Sequence, residues 1–348
     1  MKKQILEKAY MGIGLSRSIN FTVQGILLPL VDQIVGNRKD RTVKLFAEHL
    51  KSVSPKVQKL LFTDARNMAL GHYPPQVLFN ESPLAHYSRV PLLILDAVRA
   101  NLQRKNKNSN LFENDAQDFL NELPEYYRRN FHFQKSGYLA DESARLYEHQ
   151  VEILFSGTAQ AMRRQMIPVL KNHFTSSDGA GLKFLEVGSG TGALTRAMAY
   201  AFPKAQITCV DLSPHYLKYA QSKLKDFRRI DYIQGKGEEL SFKDETFDAV
   251  FSCYLFHELP EKIRMEVLKE KFRTLKHNGI MILADSIQKR DDPDLDWALS
   301  QFPIDFHEPF FKNYIEKNLE NIISKELKYY VESEIHFLTK IIWAKKDK

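Results

Sequence analysis

Lys183-Phe-Leu-Glu-Val-Gly-Ser-Gly-Thr-Gly192, followed by Ala-Leu-Thr-Arg-Ala-Met-Ala-Tyr-Ala201, decides how the chain is to be read. The short apolar run from Phe184 to Val187 is strand-like, and the run after Gly192 favours helix. The glycines therefore sit at a strand-to-helix turn. Gly188, Gly190 and Gly192 allow a tight turn and a close approach to a ligand, and predict unpaired helix N-terminal amides facing it. Such a turn suits a nucleotide.

A dinucleotide site wants G-x-G-x-x-G, whose last glycine lets helix and strand pack around a pyrophosphate. Here the spacing is G-x-G-x-G, and Glu186 stands two residues before the first glycine. A carboxylate there repels a pyrophosphate but accepts hydrogen bonds from an amine. A second acid, Asp211, ends the run Gln206-Ile-Thr-Cys-Val210, where an acid takes both hydroxyls of a ribose. One carboxylate for an amino group, one for a ribose and glycine backbone between them describe an aminoacyl-nucleoside, S-adenosylmethionine. Glu186-Val-Gly-Ser-Gly-Thr-Gly192 together with Val210-Asp-Leu-Ser213 resembles the first two motifs of the Rossmann-like (class I) S-adenosylmethionine-dependent methyltransferases. The resemblance covers about residues 180 to 345. It implies an α/β fold with a Rossmann-like seven-stranded, mostly parallel sheet, the last strand antiparallel, behind a helical N-terminal domain. The cofactor residues it implies are Glu186, Gly188, Ser189, Gly190, Gly192, Asp211, Leu212, Gly237, Glu238 and Cys253.

Further along, Ser213-Pro214 caps and opens a helix, and Ile230 to Gln234 reads as the third strand. Related methyltransferases have Gly-Asp-Ala-Glu next, with the Asp near the adenine amino group. This chain has Gly235-Lys-Gly-Glu238, and a lysine cannot accept a hydrogen bond, so the adenine contact passes to Gly237 backbone or to Glu238. Phe247 to Leu259 is the fourth strand with its exit loop, whose end borders the cofactor's methyl group. That loop lacks the Asn/Asp-Pro-Pro-aromatic turn of the methyltransferases acting on amines of nucleobases or on glutamine, and the Pro-Cys of the RNA cytosine C5 enzymes. Phe256-His-Glu-Leu259 looks like the small-molecule branch that includes quinone-biosynthesis enzymes. His257 is then a general base, neutral at pH 7 if its pKa is ordinary, or a loop histidine packed on the cofactor; Glu258 reads as solvent-facing or structural.

The spacing predicts a helix over Ile263 to Leu275, stopped by Lys276-His-Asn-Gly279, then a buried fifth strand from Ile280 to Asp285. Phe302, Phe306, Phe310, Phe311 and Tyr314 make the following insertion either an apolar acceptor pocket or a hydrophobic plug. The acidic run Asp291 to Asp296 reads as a turn, and no metal site is assigned. Leu327 to Trp343 is hairpin-like and supplies strands six and seven.

The 348 residues carry a net charge of +7, unevenly placed: residues 1–110 hold 17 Lys+Arg against 7 Asp+Glu, and residues 171–348 hold 27 of each. The basic front end reads as a solvated helical surface, or as one that meets a phosphate backbone, an acidic membrane or an anionic substrate. Punctuation at Gly36-Asn37, Ser54-Pro55, His72 to Pro75 and Ser82-Pro83 divides it into helices, the last from about Pro83 to Arg104. The polar stretch from Arg104 to Asn110 is the linker candidate, giving a helical accessory domain over 1–110, a helical lid or linker over 111–170 and the catalytic domain over 171–348. In the family, a segment before the first strand folds over the cofactor. Tyr126, Phe131, Tyr138 and Tyr147 are candidates to face the sulfonium there, and Arg163 or Arg164 to hold the methionine carboxylate. No apolar run approaches the roughly 20 residues a bilayer needs. Cys209 and Cys253 fall within strands as buried thiols, and with no signal peptide a cytoplasmic protein is expected.

The reading is a methyltransferase acting on O or C of a small, apolar or aromatic acceptor. Two alternatives stay open: an RNA or protein methyltransferase using the basic front end to hold its substrate, and a silent S-adenosylmethionine-binding interaction protein.

Overall fold

Phe184, Leu185 and Val187 are almost fully excluded from solvent, and so are Ile207, Val250, Phe251, Met281 and Ile282 on neighbouring strands. Strands buried on both faces are what a parallel sheet covered by helices requires. In the computed structural model, β1 (Lys183–Val187) lies at the centre of that sheet, which is completed by β2 (Gln206–Asp211), β3 (Ile230–Gln234), β4 (Phe247–Cys253), β5 (Leu275–Ser286), β6 (Val331–His336) and β7 (Thr339–Lys345). Their order is β3-β2-β1-β4-β5-β7-β6. β1 pairs in parallel with β2 and β4, and β7 runs antiparallel to both β5 and β6. The expected seven-stranded Rossmann-like sheet is therefore present. Its strand order reverses between β1 and β4, so the carboxyl ends of those strands open a crevice there.

The structure describes residues 1–35, 42–79, 83–105, 112, 120, 122–129, 131–133 and 136–347. The chain divides into two compact units, Met1–Met162 and Arg163–Lys348. The segment 111–162, expected as part of a lid, thus groups with the front end, and Arg163 to Leu170 groups with the sheet. The first unit contains α1 (Lys2–Gly25), α2 (Leu27–Ile34), α3 (Val43–Ala69) and α4 (Pro83–Lys105). Val57, Leu60, Leu61, Ala65 and Met68 form the buried stripe of α3. Phe21, Leu93, Leu146 and Ile153 form a buried apolar cluster from α1, α4 and the helix Asp141–Leu154. Among the described residues no helix is long and apolar enough to cross a membrane.

Two local expectations fail. Ser54-Pro55 does not end a helix, because α3 runs through Pro55. Lys51 and Pro55 are both exposed, so the carbonyl left without its intrahelical donor lies on the solvent side. Lys276 to Gly279 is likewise no helix stop: the helix Glu261–Thr274 leads directly into β5. The Asn278-Gly279 step, with Asn278 at φ 60°, absorbs a register shift against β4 instead. Gly36-Asn37, Ser82 and most of the candidate linker, residues 106 to 110, lie outside the described residues.

After β1 the chain turns through three left-handed glycines, Gly188, Gly190 and Gly192, at φ 71°, 53° and 77°. Gly192 is the cap residue of the helix Ala193–Ala201. A Cβ at Gly192 would stand 2.8 Å from Leu224 Cδ1, and at Gly188 2.9 Å from Leu255 Cδ1, whereas at Gly190 nothing is nearer than 3.9 Å. Gly188 and Gly192 are thus required by packing as well as by φ. Gly192→Ala should lose about 1–2 kcal/mol to the left-handed backbone and about 1–3 more to overpacking. Gly190→Ala should lose only the first part. Urea unfolding of the two variants checks the order, and equal stabilities would refute it.

Candidate functional site

The site is built where the ends of β1, β2, β4 and β5 meet. Glu186 is 1% exposed. Its Oε2 accepts a 2.6 Å hydrogen bond from Thr195 Oγ1, which stands 3.3 Å from Cys209 Sγ. Burial pushes the Cys209 thiol up, so it keeps its proton and donates to Thr195, whose own proton goes to Glu186. Burial also dominates at Glu186 itself. It raises the carboxyl to about 8, against the opposing pull of the Thr195 hydrogen bond and the positive charge of Arg163.

Asp211, at the end of β2, holds the glycine turn. Its Oδ2 accepts from Gly190 N at 2.7 Å and its Oδ1 from Ser213 N at 2.8 Å. Burial lifts it to about 6, and the two amides oppose that lift. Each carboxylate oxygen keeps a second acceptor position, so a pair of vicinal hydroxyls still fits. The amides of the turn itself are less available than the sequence predicts. Gly188 N and Ser189 N donate to Val210 O, Gly192 N to Ser189 O, and Gly190 N to Asp211. The left-handed glycines fold the turn back onto β2, which uses these donors inside the protein. The Ser189 hydroxyl is buried beside the Cys209 thiol, and a Cβ at Gly190 would meet nothing closer than Tyr216 Cδ1 at 3.9 Å. A buried hydroxyl whose neighbour is only a weakly bonding thiol, an acid with spare lone pairs and a middle glycine with room for a small group fit an aminoacyl-nucleoside such as S-adenosylmethionine.

The remaining cofactor candidates surround this turn unevenly. Leu212 is half-buried, and its carbonyl accepts from Gln234 Nε2 at 3.2 Å. Gly237 presses on β1, since a Cβ there would lie 2.9 Å from Val187 Cγ1. Glu238 is half-buried beside it. Lys236 turns away to pair with Glu239 at 3.5 Å. Cys253, at the end of β4, is a half-buried free thiol rather than a fully buried one.

His257 departs from the expected neutral imidazole. It is 6% exposed, and its Nδ1 lies 2.6 Å from Asp285 Oδ1. Burial pulls its pKa down, but the Asp285 carboxylate, through charge and hydrogen bond, and the Glu308 and Glu258 carboxylates outweigh it and raise the group to about 9. The imidazole is therefore mostly protonated at pH 7. Asp285 also accepts from Phe256 N at 2.7 Å and Ser286 N at 2.8 Å, which fixes the loop after β4 to the end of β5. With Nδ1–H given to Asp285, Nε2 is the atom left for chemistry; it stands 3.9 Å from Glu258 Oε1. Glu258 is not solvent-facing: its side chain is 13% exposed and raises the pKa of both His257 and Asp211.

Tyr254 completes this side in a strained form, with φ 55°, its hydroxyl 2.6 Å from Thr339 Oγ1 and its ring 5.5 Å from the Arg163 guanidinium carbon. Arg163 and Arg164 are both buried. Phe311 and Tyr314 flank the His257 ring at 5.7 and 6.2 Å, and Phe302 lies 4.7 Å from Phe311. Buried Arg264 fastens that insertion by donating to Phe256 O, Phe310 O and Asn313 Oδ1. Asp291 pairs with the buried Lys340 at 2.8 Å, in keeping with the run's reading as a turn. Tyr126, Phe131, Tyr138 and Tyr147 belong to the first unit. Phe131 stacks on Tyr138 at 5.3 Å, and Tyr138 meets Tyr147 at 6.0 Å.

The sequence reading missed Asp285, Arg264 and Tyr254 as site residues. For Asp285 a signal existed: one acid ending an otherwise apolar strand, next to the strand that delivers His257. For Tyr254, a left-handed tyrosine has no sequence signature.

Residues 184–279 match the family described as a methyltransferase domain. Among curated relatives, a fatty-acid O-methyltransferase of Mycolicibacterium smegmatis is 27% identical over 169 residues, 47% of this chain and 60% of that protein. A demethylmenaquinone methyltransferase of Lysinibacillus sphaericus is 32% identical over 109 residues, 31% of this chain and 46% of that protein. The chain thus spans less than two thirds of the length of these relatives. An S-adenosylmethionine-dependent methyltransferase structure from Aquifex aeolicus is 19% identical with a TM-score of 0.38, over 51% of this chain and 87% of that one. The C-terminal part of the chain carries a class I methyltransferase domain, a family whose methyl donor is S-adenosylmethionine.

Glu186 has a consequence for stability. Because its folded pKa lies above the ordinary 4.5, its contribution is full below 4.5 and is lost as pH rises to about 8. Glu186→Gln keeps an acceptor for Thr195 without the ionisation. Its unfolding free energy, measured across that window without ligand, should fall less steeply with pH than that of the wild type. Parallel profiles would show that Glu186 does not titrate there.

Proposed function

We propose that the protein is an S-adenosylmethionine-dependent methyltransferase that methylates oxygen or carbon of a small, apolar or aromatic acceptor. The cofactor would be held by Glu186, Gly188, Ser189, Gly190, Gly192, Asp211, Leu212, Gly237, Glu238 and Cys253, with His257 as general base. The observation that carries this reading is the His257–Asp285 pair at the carboxyl ends of β4 and β5, with its loop packed on the glycine turn of β1. Relatives named for a fatty acid and for demethylmenaquinone support an apolar acceptor.

S-adenosylmethionine supplies a methyl group on a sulfonium, so the leaving group is already activated. The protein's work is to orient the acceptor and take its proton. Glu186 and Asp211 match the amino group and the ribose by charge and spare lone pairs, and Arg163 is the nearby cation for the carboxylate. Phe302, Phe311 and Tyr314 offer an apolar wall beside the imidazole. Nε2 of neutral His257 receives the acceptor's proton, while Asp285 holds the tautomer and stabilises the imidazolium that forms. A base raised to about 9 suits a weakly acidic hydroxyl or carbon acid better than an ordinary imidazole does.

The test is calorimetric titration of S-adenosylmethionine, followed by an acceptor screen. Asp211→Ala should weaken binding at least about tenfold, roughly 1.4 kcal/mol. With an acceptor found, kcat/KM should climb with pH and level off above about 9, and His257→Gln should lose that limb while still binding cofactor. A folded wild type that binds no cofactor would overturn the assignment. Binding without transfer to any acceptor would favour the silent interaction protein.

A further inference from the structure

The helical unit carries a surface that the candidate site does not use. Tyr87 Oη on α4 donates to Asn20 Oδ1 on α1 at 2.6 Å, and Asn101 Nδ2 on α4 donates to Asp32 Oδ1 on α2 at 2.8 Å. These two rungs hold α4 alongside α1 and α2, all running in the same direction. Both sides of this pair present apolar side chains to solvent. Ile19 and Val23, four residues apart on α1, are 64% and 60% exposed, and Leu27 at the start of α2 is 37% exposed. Leu92, Leu95 and Leu102 recur at helical spacing on α4, with exposures of 36%, 52% and 47%. On both helices these apolar side chains are interspersed with exposed polar ones, Lys2, Lys3, Lys8 and Ser16 on α1 and Ser88 and Arg99 on α4, instead of being confined to a buried stripe.

The charges on the same helices are one-sided. Lys2, Lys3, Lys8 and Arg99 are exposed, Arg99 standing 3.8 Å from Glu142. The acids Glu7, Asp32 and Asp96 are all half-buried; Asp32 accepts from Asn101, and Asp96 accepts from Gln150 Nε2 at 2.6 Å. On these helices, then, no described acid is exposed. Ile5 and Ile13, 61% and 37% exposed, carry the apolar side chains along α1 to Lys2, Lys3 and Lys8. Cations in line with exposed apolar side chains are the arrangement that seats a helix in a lipid interface: the apolar side chains enter the acyl boundary and the cations meet anionic head groups. A nucleic acid would use the cations but leave the leucines and isoleucines unexplained.

We propose that the α1–α2/α4 face binds peripherally to an anionic lipid surface. This does not rest on the methyltransferase reading; if both hold, the enzyme would draw an apolar acceptor from the membrane in which it dissolves.

The test is co-sedimentation of the full chain with phosphatidylcholine–phosphatidylglycerol vesicles and with phosphatidylcholine vesicles alone. The expected result is pelleting with the anionic vesicles only, weakened by salt. The double variant Val23→Glu/Leu95→Glu, both positions solvent-exposed, should bind at least about tenfold more weakly with unchanged circular dichroism and melting. Lys2, Lys3 and Lys8 changed together to Gln should weaken binding in low salt and reduce its salt dependence. Pelleting that the glutamates do not change would overturn the proposal. So would a chain that pellets with neither vesicle but is retained by RNA. A wild-type dimer that the glutamates dissolve, with no vesicle binding, would assign the face to a second copy and overturn it equally.

Discussion

The two hydrogen bonds accepted by Asp211, from Gly190 N and Ser213 N, hold the rest of the site in place. β1 and β2 are adjacent parallel strands, and parallel neighbours leave their carboxyl ends free to splay. One carboxylate placed between them ties the middle of the glycine turn to the start of the following helix. Gly188 N and Ser189 N reinforce the tie by donating to Val210 O. The turn can then keep three left-handed residues at alternate positions, Gly188, Gly190 and Gly192, a conformation only glycine tolerates cheaply. Gly188 in that position admits Leu255, and so brings the loop after β4, with His257 behind it, against the turn. The geometry of the reacting region follows from a carboxylate that the sequence presents simply as the last residue of a strand.

The same region is electrostatically unfinished. Glu186 and Asp211 are raised to about 8 and about 6 chiefly by burial, and Glu258 deepens the effect at Asp211. The cations that answer them are few. Lys271 is fully buried, donates to Ser252 Oγ at 2.8 Å, and has its own pKa pushed well down by burial. Arg163 is spread between Glu186 and the Tyr254 ring. Charges buried without full partners are costly. A ligand bearing a positive charge would relieve that cost where an anion would add to it. That asymmetry is an argument for a cationic cofactor that does not depend on any motif.

Much of this was legible in the residues, for identifiable reasons. The strands around β1 are apolar runs bounded by turns, and a sheet buried on both faces leaves that pattern whatever surrounds it. Glu186, the glycines and Asp211 stand close together in the chain, so their association needs only local geometry. His257 illustrates the opposite case. Its pKa is set by Asp285, Glu308 and Glu258, and of these Asp285 and Glu308 arrive from distant segments, so spacing alone gives an imidazole of ordinary basicity. Of the two readings of Glu258, solvent-facing or structural, the first fails because the loop after β4 turns the side chain inward beside His257. The continuation of α3 through Pro55 shows local chemistry overridden by packing on both sides of it, half-buried Leu45, Phe46, Leu50 and Val53 before and the buried stripe from Val57 after.

The two halves of the candidate site are also built on different physics. The cofactor half is backbone: turns, amides and carboxylates whose positions follow from the sheet. The half beside His257 comes from the segment between β5 and β6, which has no strand among its described residues to anchor it. It is held instead by buried cations: Arg264, reaching Phe310 O and Asn313, and Lys340, reaching Asp291, Gln288 and Glu320. Such contacts are demanding, since removing one partner strands a charge in the interior. They also fix Phe311 and Tyr314 against His257 without constraining the side chains further out, such as Trp297, which is 37% exposed. Changes at those outer positions leave the ionic anchors and the glycine turn intact. The insertion can therefore vary independently of the glycine turn, and a shared fold does not dictate its shape.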